Sequence, residues 1–493
     1  MLDNINTYCI APGLRSAPLI AAIPQNAKVI VHNDERGLAF FALGAAKASQ
    51  KPVVIITTSG TAVGNTLPAI LEAYHSNTPL ILLTADRPLA LYDTGANQTT
   101  DQVKCLSNYM KHSTSIALSD PAFAHTLSYA HAQAQRGPVH VNIFIDDPDQ
   151  EAPKRIQTAE HKFPKDKKML CDLPLHTIEK GYVVAGANTN TDHASALAKH
   201  LRWPLITDIL SGVRHLDQIP YWEKQNLPQG DAILHLGDAC VSKKRSKKDP
   251  KYYIQVSKKR FDPDHRVTHH FHCDPKDFEL DIPEATHPTQ FPPNIQVDIP
   301  PEPLYESSLF ANLKTEHALF IGNSIPIRAA NTFYFPKHHQ NIYANRGLSG
   351  IDGNIATACG IVHATRKPLL AIIGDQSALH DLNSLSLMRN LPAPLQLIIC
   401  NNSGGRIFDS LGYKSKNFSN PHTYTFENAA KLYGIPYEKK KAVPTEMSTA
   451  IIELKIDPEL SENFMQTPQI VSAAAPPSPG SACECLIGAS SSQ

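Results

Sequence analysis

The chain has 493 residues, and its 46 basic and 46 acidic side chains leave a formal net charge of zero. That balance argues against nucleic acid or an anionic membrane surface as a partner of the whole molecule, and no apolar run reaches the ~18 residues that a spanning helix needs. Nine scattered cysteines, an odd number, fit reduced thiols in a cytoplasmic-type compartment better than a disulfide framework.

The length predicts two or three domains. The start, MLDNINTYCIAPG, has neither the basic end nor the apolar core of a signal peptide. Residues 1–150 then alternate strand and helix. KVIVHN (28–33) predicts a short buried strand, and residues 34–49 a helix capped by Asn33 or Asp34. PVVIITTSG (52–60) is a second strand, TAVGNTLPAILEAYHSN a second helix, PLILLTAD (79–86) a third strand, and GPVHVNIFID (137–146) the closing strand. Such alternation predicts a parallel sheet with helices on both faces.

A charged, Pro-rich stretch from about 150 to 180 reads as a linker. A second α/β domain at 175–285 follows, with GYVVAGANT, a helix at 193–201, WPLITDILSG, AILHLGDA, YYIQVS and VTHHFHCD. Its basic stretch KKRSKKDPK (243–251) reads as a solvated loop, and His269, His270 and His272 as strand residues rather than a chelate. Another Pro-rich run (281–305) leads to the third domain at 305–465, which ends in a helix (TFENAAKLYG) and an edge strand (TAIIELKID). Residues 466–493, rich in Pro, Ala and Ser, predict a disordered tail. Its Cys483 and Cys485 have no partners at zinc spacing.

Within the third domain, residues 368–408 read PLLAIIGDQSALHDLNSLSLMRNLPAPLQLIICNNSGGRIF. Two apolar, β-branched runs each end in polar residues, Asp375 and Asn402. The connection of roughly 25 residues suits the crossover that parallel neighbours need. Ligands collect at the carboxyl ends of such strands, where one charged and one neutral oxygen suit Mg²⁺. The Ser403-Gly404-Gly405 turn can add a backbone carbonyl and lets a diphosphate approach the main chain. An ordinary buried βαβ unit would explain either half alone; both halves at this spacing are more specific. Together they resemble the GD…NN signature of thiamine-diphosphate enzymes. The HDLN at 380–383 and the NNSGGRIF continuation are similar to the MenD family in particular, the 2-succinyl-5-enolpyruvyl-6-hydroxy-3-cyclohexene-1-carboxylate synthases of menaquinone and phylloquinone synthesis.

The resemblance implies three doubly wound α/β parallel-sheet domains: pyrimidine-binding, central and diphosphate-binding. It implies thiamine diphosphate as cofactor with Mg²⁺, or Mn²⁺, held by Asp375, Asn402 and Gly404. Thr58, Gly60, Gly374, Ser377 and Gly405 would join the cofactor site, and Ile351, otherwise a plain core residue, would prop the bent cofactor. Glu35 taken alone is an early-turn helix residue. By resemblance it is the catalytic glutamate, which touches the aminopyrimidine ring nitrogen and helps the cofactor's own amine take the C2 proton. That role needs a proton held near neutral pH, which burial promotes.

A second constellation is basic. Arg15, Arg87, Arg328 and Arg346 all sit in strand-end loops, and arginine's planar fork pairs bidentately with carboxylates. The implied transferase reaction supplies those carboxylates: 2-oxoglutarate loses CO₂, and its succinyl-carbanion equivalent adds to isochorismate. Asn97, Gln98 and Ser324 match further family positions at the substrate, while Arg214 and Arg260 stay outside the set. A homodimer or homotetramer with sites across the subunit interface is also implied. Two alternatives remain open: another thiamine-diphosphate 2-oxo acid decarboxylase or synthase, and a catalytically dead homologue with an assembly role. Three departures from the family pattern stand out. The helix expected before the first strand is missing, Leu14 replaces the serine of a PGSRS motif, and KKKAVP runs almost directly into TEMSTAIIELKID. Lost helices would uncover apolar sheet surface. A plastid location is the alternative to the cytoplasm if the start is incomplete.

Overall fold

The computed structural model describes residues 2–158, 168–224, 229–242, 249–289, 295–462 and 470–473. The chain forms two compact units: Met1–Asp166 with Pro301–Met465, and Lys167–Pro300 with Gln466–Gln493.

The first sheet has six parallel strands, β1 (Thr7–Ile10), β2 (Lys28–Val31), β3 (Val53–Thr57), β4 (Leu80–Asp86), β5 (His112–Ala117) and β6 (Val139–Phe144), in the order β2-β1-β3-β4-β6-β5. VVIIT and LILLTAD are buried throughout, as strands covered on both faces must be. β2, expected to be buried, is instead an edge strand whose Val29 and Val31 are 44% and 61% exposed. The polar run HSTSIA forms β5 at the other edge, so β6 closes the domain in sequence but lies inside the sheet. Helix α1 (Glu35–Ser49) starts at Asp34, whose carboxylate accepts from the N–H groups of Arg36 and Gly37. Helix α2 (Leu67–Ser76) follows β3.

In the second unit, β7 (Gly181–Ala185), helix α3 (His193–Leu201), β8 (Leu205–Thr207), β9 (Ala232–Leu236), β10 (Tyr252–Val256) and β11 (His269–Phe271) follow the predicted order. They build a parallel sheet ordered β11-β10-β9-β7-β8. His270 bonds the Ser257 carbonyl, and buried Arg214 donates to the Thr207 carbonyl. Ile470–Ala473, inside the segment expected to be disordered, run antiparallel to Ile295–Val297. Cys483, Cys485 and most of the basic 243–251 stretch lie outside the described residues.

The third sheet begins after helix α4 (Glu306–Asn312) with β12 (Ala318–Ile321). Helix α5 (Ile325–Phe333), β13 (Ile342–Tyr343), helix α6 (Asn354–Thr365), β14 (Leu369–Gly374), helix α7 (Asp375–His380) and β15 (Leu395–Asn401) follow. Then come helix α8 (Glu427–Tyr433), β16 (Tyr437–Lys440), β17 (Ala450–Lys455) and helix α9 (Pro458–Glu462). The six parallel strands order as β13-β12-β14-β15-β17-β16. β17 is therefore internal and buried, not the expected edge, which falls to charged β16. Residues 441–449 join these two parallel neighbours without a helix, shorter than the dozen or so residues such a crossover usually takes.

The first and third sheets share one apolar core, with Leu38, Phe41, Ile355 and Ile361 among its members. At its centre α1 crosses α6 at backbone contact. A Cβ on Gly44 would run into the Thr357 carbonyl, and one on Gly360 into the Phe41 carbonyl. The HDLN motif serves this joint. Asp381 caps α6 by accepting from the N–H groups of Ile355 (2.8 Å) and Ala356 (3.0 Å). The His380 carbonyl accepts from Arg36, and Asn383 donates to Asp34.

Candidate active site

β14 and β15 pair in parallel, Gly374 opposite Cys400, so Asp375 and Asn402 leave the sheet at the same edge. Both line a cavity of about 440 Å³, together with Gly374, Ser377, Gly404 and Gly405. The Asp375 carboxylate is buried and accepts from the Gly404 N–H at 3.0 Å and the Gln376 N–H at 2.6 Å. Burial holds its pKa above the usual carboxylate range, against the Gly404 N–H and the His422 imidazole, whose Nε2 lies 3.3 Å away. Burial outweighs these neighbours, and a cation beside the carboxylate would favour its ionised form. Gly404 has φ +141°, and a Cβ there would strike the Ser419 carbonyl, so only glycine lets the turn fold this tightly.

Asn402 is held from behind. Its Nδ2 donates to Glu306 Oε1 (3.0 Å) and to Ser461 Oγ (2.9 Å), and Ser461 Oγ donates to Glu306 Oε1 (2.9 Å). Burial pushes the Glu306 carboxyl up to about 7, with the nearby Asp375 adding to the rise. Asn402 Oδ1 is buried and has no hydrogen-bond partner among the described residues. Neither Glu306, His422 nor Ser461 was singled out from the sequence. Glu306 lies 96 residues from Asn402 and belongs to no motif.

The opposite wall carries Ser324, Arg328, Arg346 and Ile351. Arg346 donates to Asn323 Oδ1 at 2.9 Å, and Asn323 Nδ2 fastens the loop through the carbonyls of Asn345 and Gly350, each at 2.7 Å. Arg328 donates to the Ser324 carbonyl at 2.6 Å. Ser377 Oγ donates to the Ile351 carbonyl at 2.7 Å, which fixes the backbone of the residue expected under the cofactor.

The remaining site residues gather elsewhere, at the carboxyl ends of the first sheet, and none of them lines the cavity. Arg15 donates to the carbonyls of Ile145 and Asp146. Burial and the neighbouring Arg87 charge lower its pKa. Arg87 Nε donates to the Asn97 carbonyl at 3.1 Å, Gln98 packs beside Gly60, and Thr58 packs against Gly13. Glu35 Oε2 accepts from Asn65 Nδ2 at 3.0 Å. Glu35 is half-buried, so this chain alone does not supply the burial that its expected role calls for. The sequence-predicted residues thus fall into two groups, each a half-site under the expected function.

Comparison with known proteins places the chain in a family. Residues 2–105 match the family described as "Thiamine pyrophosphate enzyme, N-terminal TPP binding domain", and residues 150–296 the "Middle domain of thiamine pyrophosphate". A 2-succinyl-5-enolpyruvyl-6-hydroxy-3-cyclohexene-1-carboxylate synthase of Chlorobium phaeobacteroides is 33% identical over 544 residues, 94% of either chain. The enzyme of that name from Salinibacter ruber is 33% identical, over 89% of this chain and 87% of its own. That of Shewanella baltica is 35% identical, over 88% of each. With similarity of this depth running nearly end to end, and with an α/β fold to match, the chain belongs to the 2-succinyl-5-enolpyruvyl-6-hydroxy-3-cyclohexene-1-carboxylate synthase family of thiamine pyrophosphate enzymes.

Proposed function

We propose that the protein decarboxylates 2-oxoglutarate and transfers the resulting succinyl unit to isochorismate, giving 2-succinyl-5-enolpyruvyl-6-hydroxy-3-cyclohexene-1-carboxylate on the route to menaquinone or phylloquinone. The observation that carries this reading is the cavity. A carboxylate that burial makes costly to ionise, a buried amide oxygen without a hydrogen-bond partner among the described residues and two arginines line the same cavity. These groups fit Mg²⁺ and a diphosphate: Asp375, Asn402 Oδ1 and the Gly404 carbonyl would hold the ion. Gly374, Ser377 and Gly405 would flank the diphosphate, and Ile351 would lie against the ring system. When bound, thiamine diphosphate supplies the electron sink that decarboxylation of a 2-oxo acid requires.

The chain's own groups do the rest. Glu35 would lie against the aminopyrimidine ring nitrogen of bound thiamine diphosphate, where a carboxyl group can share a proton with it. Arg328 and Arg346 on one half-site, and Arg15 and Arg87 on the other, bind the carboxylates of the two substrates, with Asn97, Gln98 and Ser324 beside them. Because no residue of the first half-site lines the cavity, a second copy brings its Glu35 over it, in a homodimer or a dimer of dimers. The test is to incubate the protein with thiamine diphosphate, Mg²⁺ and 2-oxoglutarate, with and without isochorismate. The 2-succinyl product, formed only when both substrates are present, is expected. CO₂ without that product would mark a simple 2-oxo acid decarboxylase, and absence of cofactor binding a dead homologue.

A further inference from the structure

Three elements far apart in sequence meet behind the proposed metal ligand: the start of α4 at Glu306, the residue after β15, Asn402, and α9 at Ser461. Their hydrogen bonds close a small ring. The Ser461 hydroxyl gives its proton to Glu306 Oε1, and both Nδ2 protons of Asn402 are taken, one by Glu306 and one by Ser461. With Glu306 ionised, turning the amide over would set Asn402 Oδ1 against a carboxylate oxygen, two acceptors face to face. In that state the ring favours one orientation of the amide. Oδ1 is left buried on the side away from the ring, without a partner among the described residues. The residue carrying it lines the cavity beside Asp375.

We propose that Glu306 and Ser461 are positioning residues that lock the Asn402 amide so that its oxygen is presented to the metal ion before the ion arrives. The inference rests on the cofactor reading above and adds to it two residues that touch neither metal nor cofactor. A pre-set ligand needs no reorganisation on binding, and removing the group that orients a ligand typically costs ~10–100-fold in metal affinity. If the ring only pinned α4 and α9 to the sheet, its loss would lower stability and leave affinity for the ion alone.

The experiment is Mn²⁺ binding to the full chain at saturating thiamine diphosphate, read from the paramagnetic resonance signal of the free ion. Glu306→Leu, which keeps bulk and removes the acceptor, is expected to weaken Mn²⁺ binding by about 10-fold or more. Glu306→Gln retains an oxygen that can accept both bonds, and should restore affinity to within about threefold of the unaltered protein. The metal concentration for half activity should rise by more than kcat falls. A folded Glu306→Leu with unaltered affinity overturns the proposal. So does a Glu306→Gln as weak as Glu306→Leu, since charge rather than orientation would then be at work. If Glu306→Leu does not fold, Ser461→Ala decides on the same scale: weaker Mn²⁺ binding supports the proposal and unchanged binding overturns it. Absence of Mn²⁺ binding in the unaltered protein would remove the cofactor reading and this inference together. Normal binding there with unchanged variants removes this inference alone.

Discussion

Ser324 stands in the cavity wall with φ +73° and ψ −128°, and Gly60, at the matching strand-to-helix corner of the first sheet, has φ +78° and ψ −133°. Glycine adopts that geometry freely, whereas serine holds its Cβ there under strain. Ser324→Gly should therefore stabilise the protein by about 1 kcal/mol, visible as a higher urea midpoint at unchanged slope. A lower midpoint would show that the serine side chain makes contacts worth more than the strain. The sequence pointed to Ser324 as a polar residue near substrate but carried no sign of its backbone. A dihedral is imposed by the elements on either side. Asp375, Asn402 and Gly404 were legible for the opposite reason, since their chemistry and their spacing lie in one continuous stretch. Glu306 and Ser461 were not, because what selects them is a meeting in space with Asn402 across most of a domain.

Between elements, the joint that matters most couples α1 and α2 to the loop carrying Arg346. Lys47 is largely buried, its side chain 15% exposed, and its Nζ donates to the Ala344 carbonyl (2.8 Å), Asn345 Oδ1 (3.0 Å) and Glu72 Oε1 (3.4 Å). The Glu72 carboxylate accepts in turn from the N–H groups of Gly347 and Leu348, each at 2.9 Å. Burial lowers the Lys47 pKa and Glu72 opposes that shift, so the pair is interdependent. Glu72→Gln should cost about 3 kcal/mol in urea unfolding, because it strands a buried ammonium. It should also raise the KM for 2-oxoglutarate by loosening the Arg346 loop. Adding Lys47→Met should return part of the stability and none of the KM; recovery of both would show that the loop does not depend on this clamp. Strand identities in these layers were largely readable, since VVIIT, LILLTAD, LLAIIG and LQLIICN are apolar runs of strand length. Edges were not. Val29 and Val31 of β2 look like core residues, and AIIELK of β17 was assigned an edge that charged β16 holds, because edge or centre is decided by what lies alongside. β5 escaped notice because an edge strand can be polar along its whole length.

At the scale of the whole molecule, the two half-sites make a demand on assembly. Glu35, Arg15 and Arg87 belong to the first sheet and the cavity around Asp375 to the third, and the cavity lining draws on the third alone. The α1–α6 crossing fixes the two sheets at backbone contact through Gly44 and Gly360, so no hinge at that joint can swing one half-site onto the other. Under the proposed function a catalytic site then forms only between two chains, and in a symmetric dimer each pair of chains makes two of them. Glu35→Gln and Asp375→Ala should each be inactive alone. In a mixed dimer, one site inherits both defects and the other neither. Equal amounts unfolded and refolded together assort so that half of the dimers are mixed, and activity should return to about a quarter of the unaltered level. A site built within a single chain gives no recovery at any mixing ratio, so a mixture that stays inactive, with mixed dimers demonstrated by differential tagging, would overturn the shared-site arrangement. The same mixture with Glu35→Gln in both chains should remain silent, which guards against recovery through simple stabilisation.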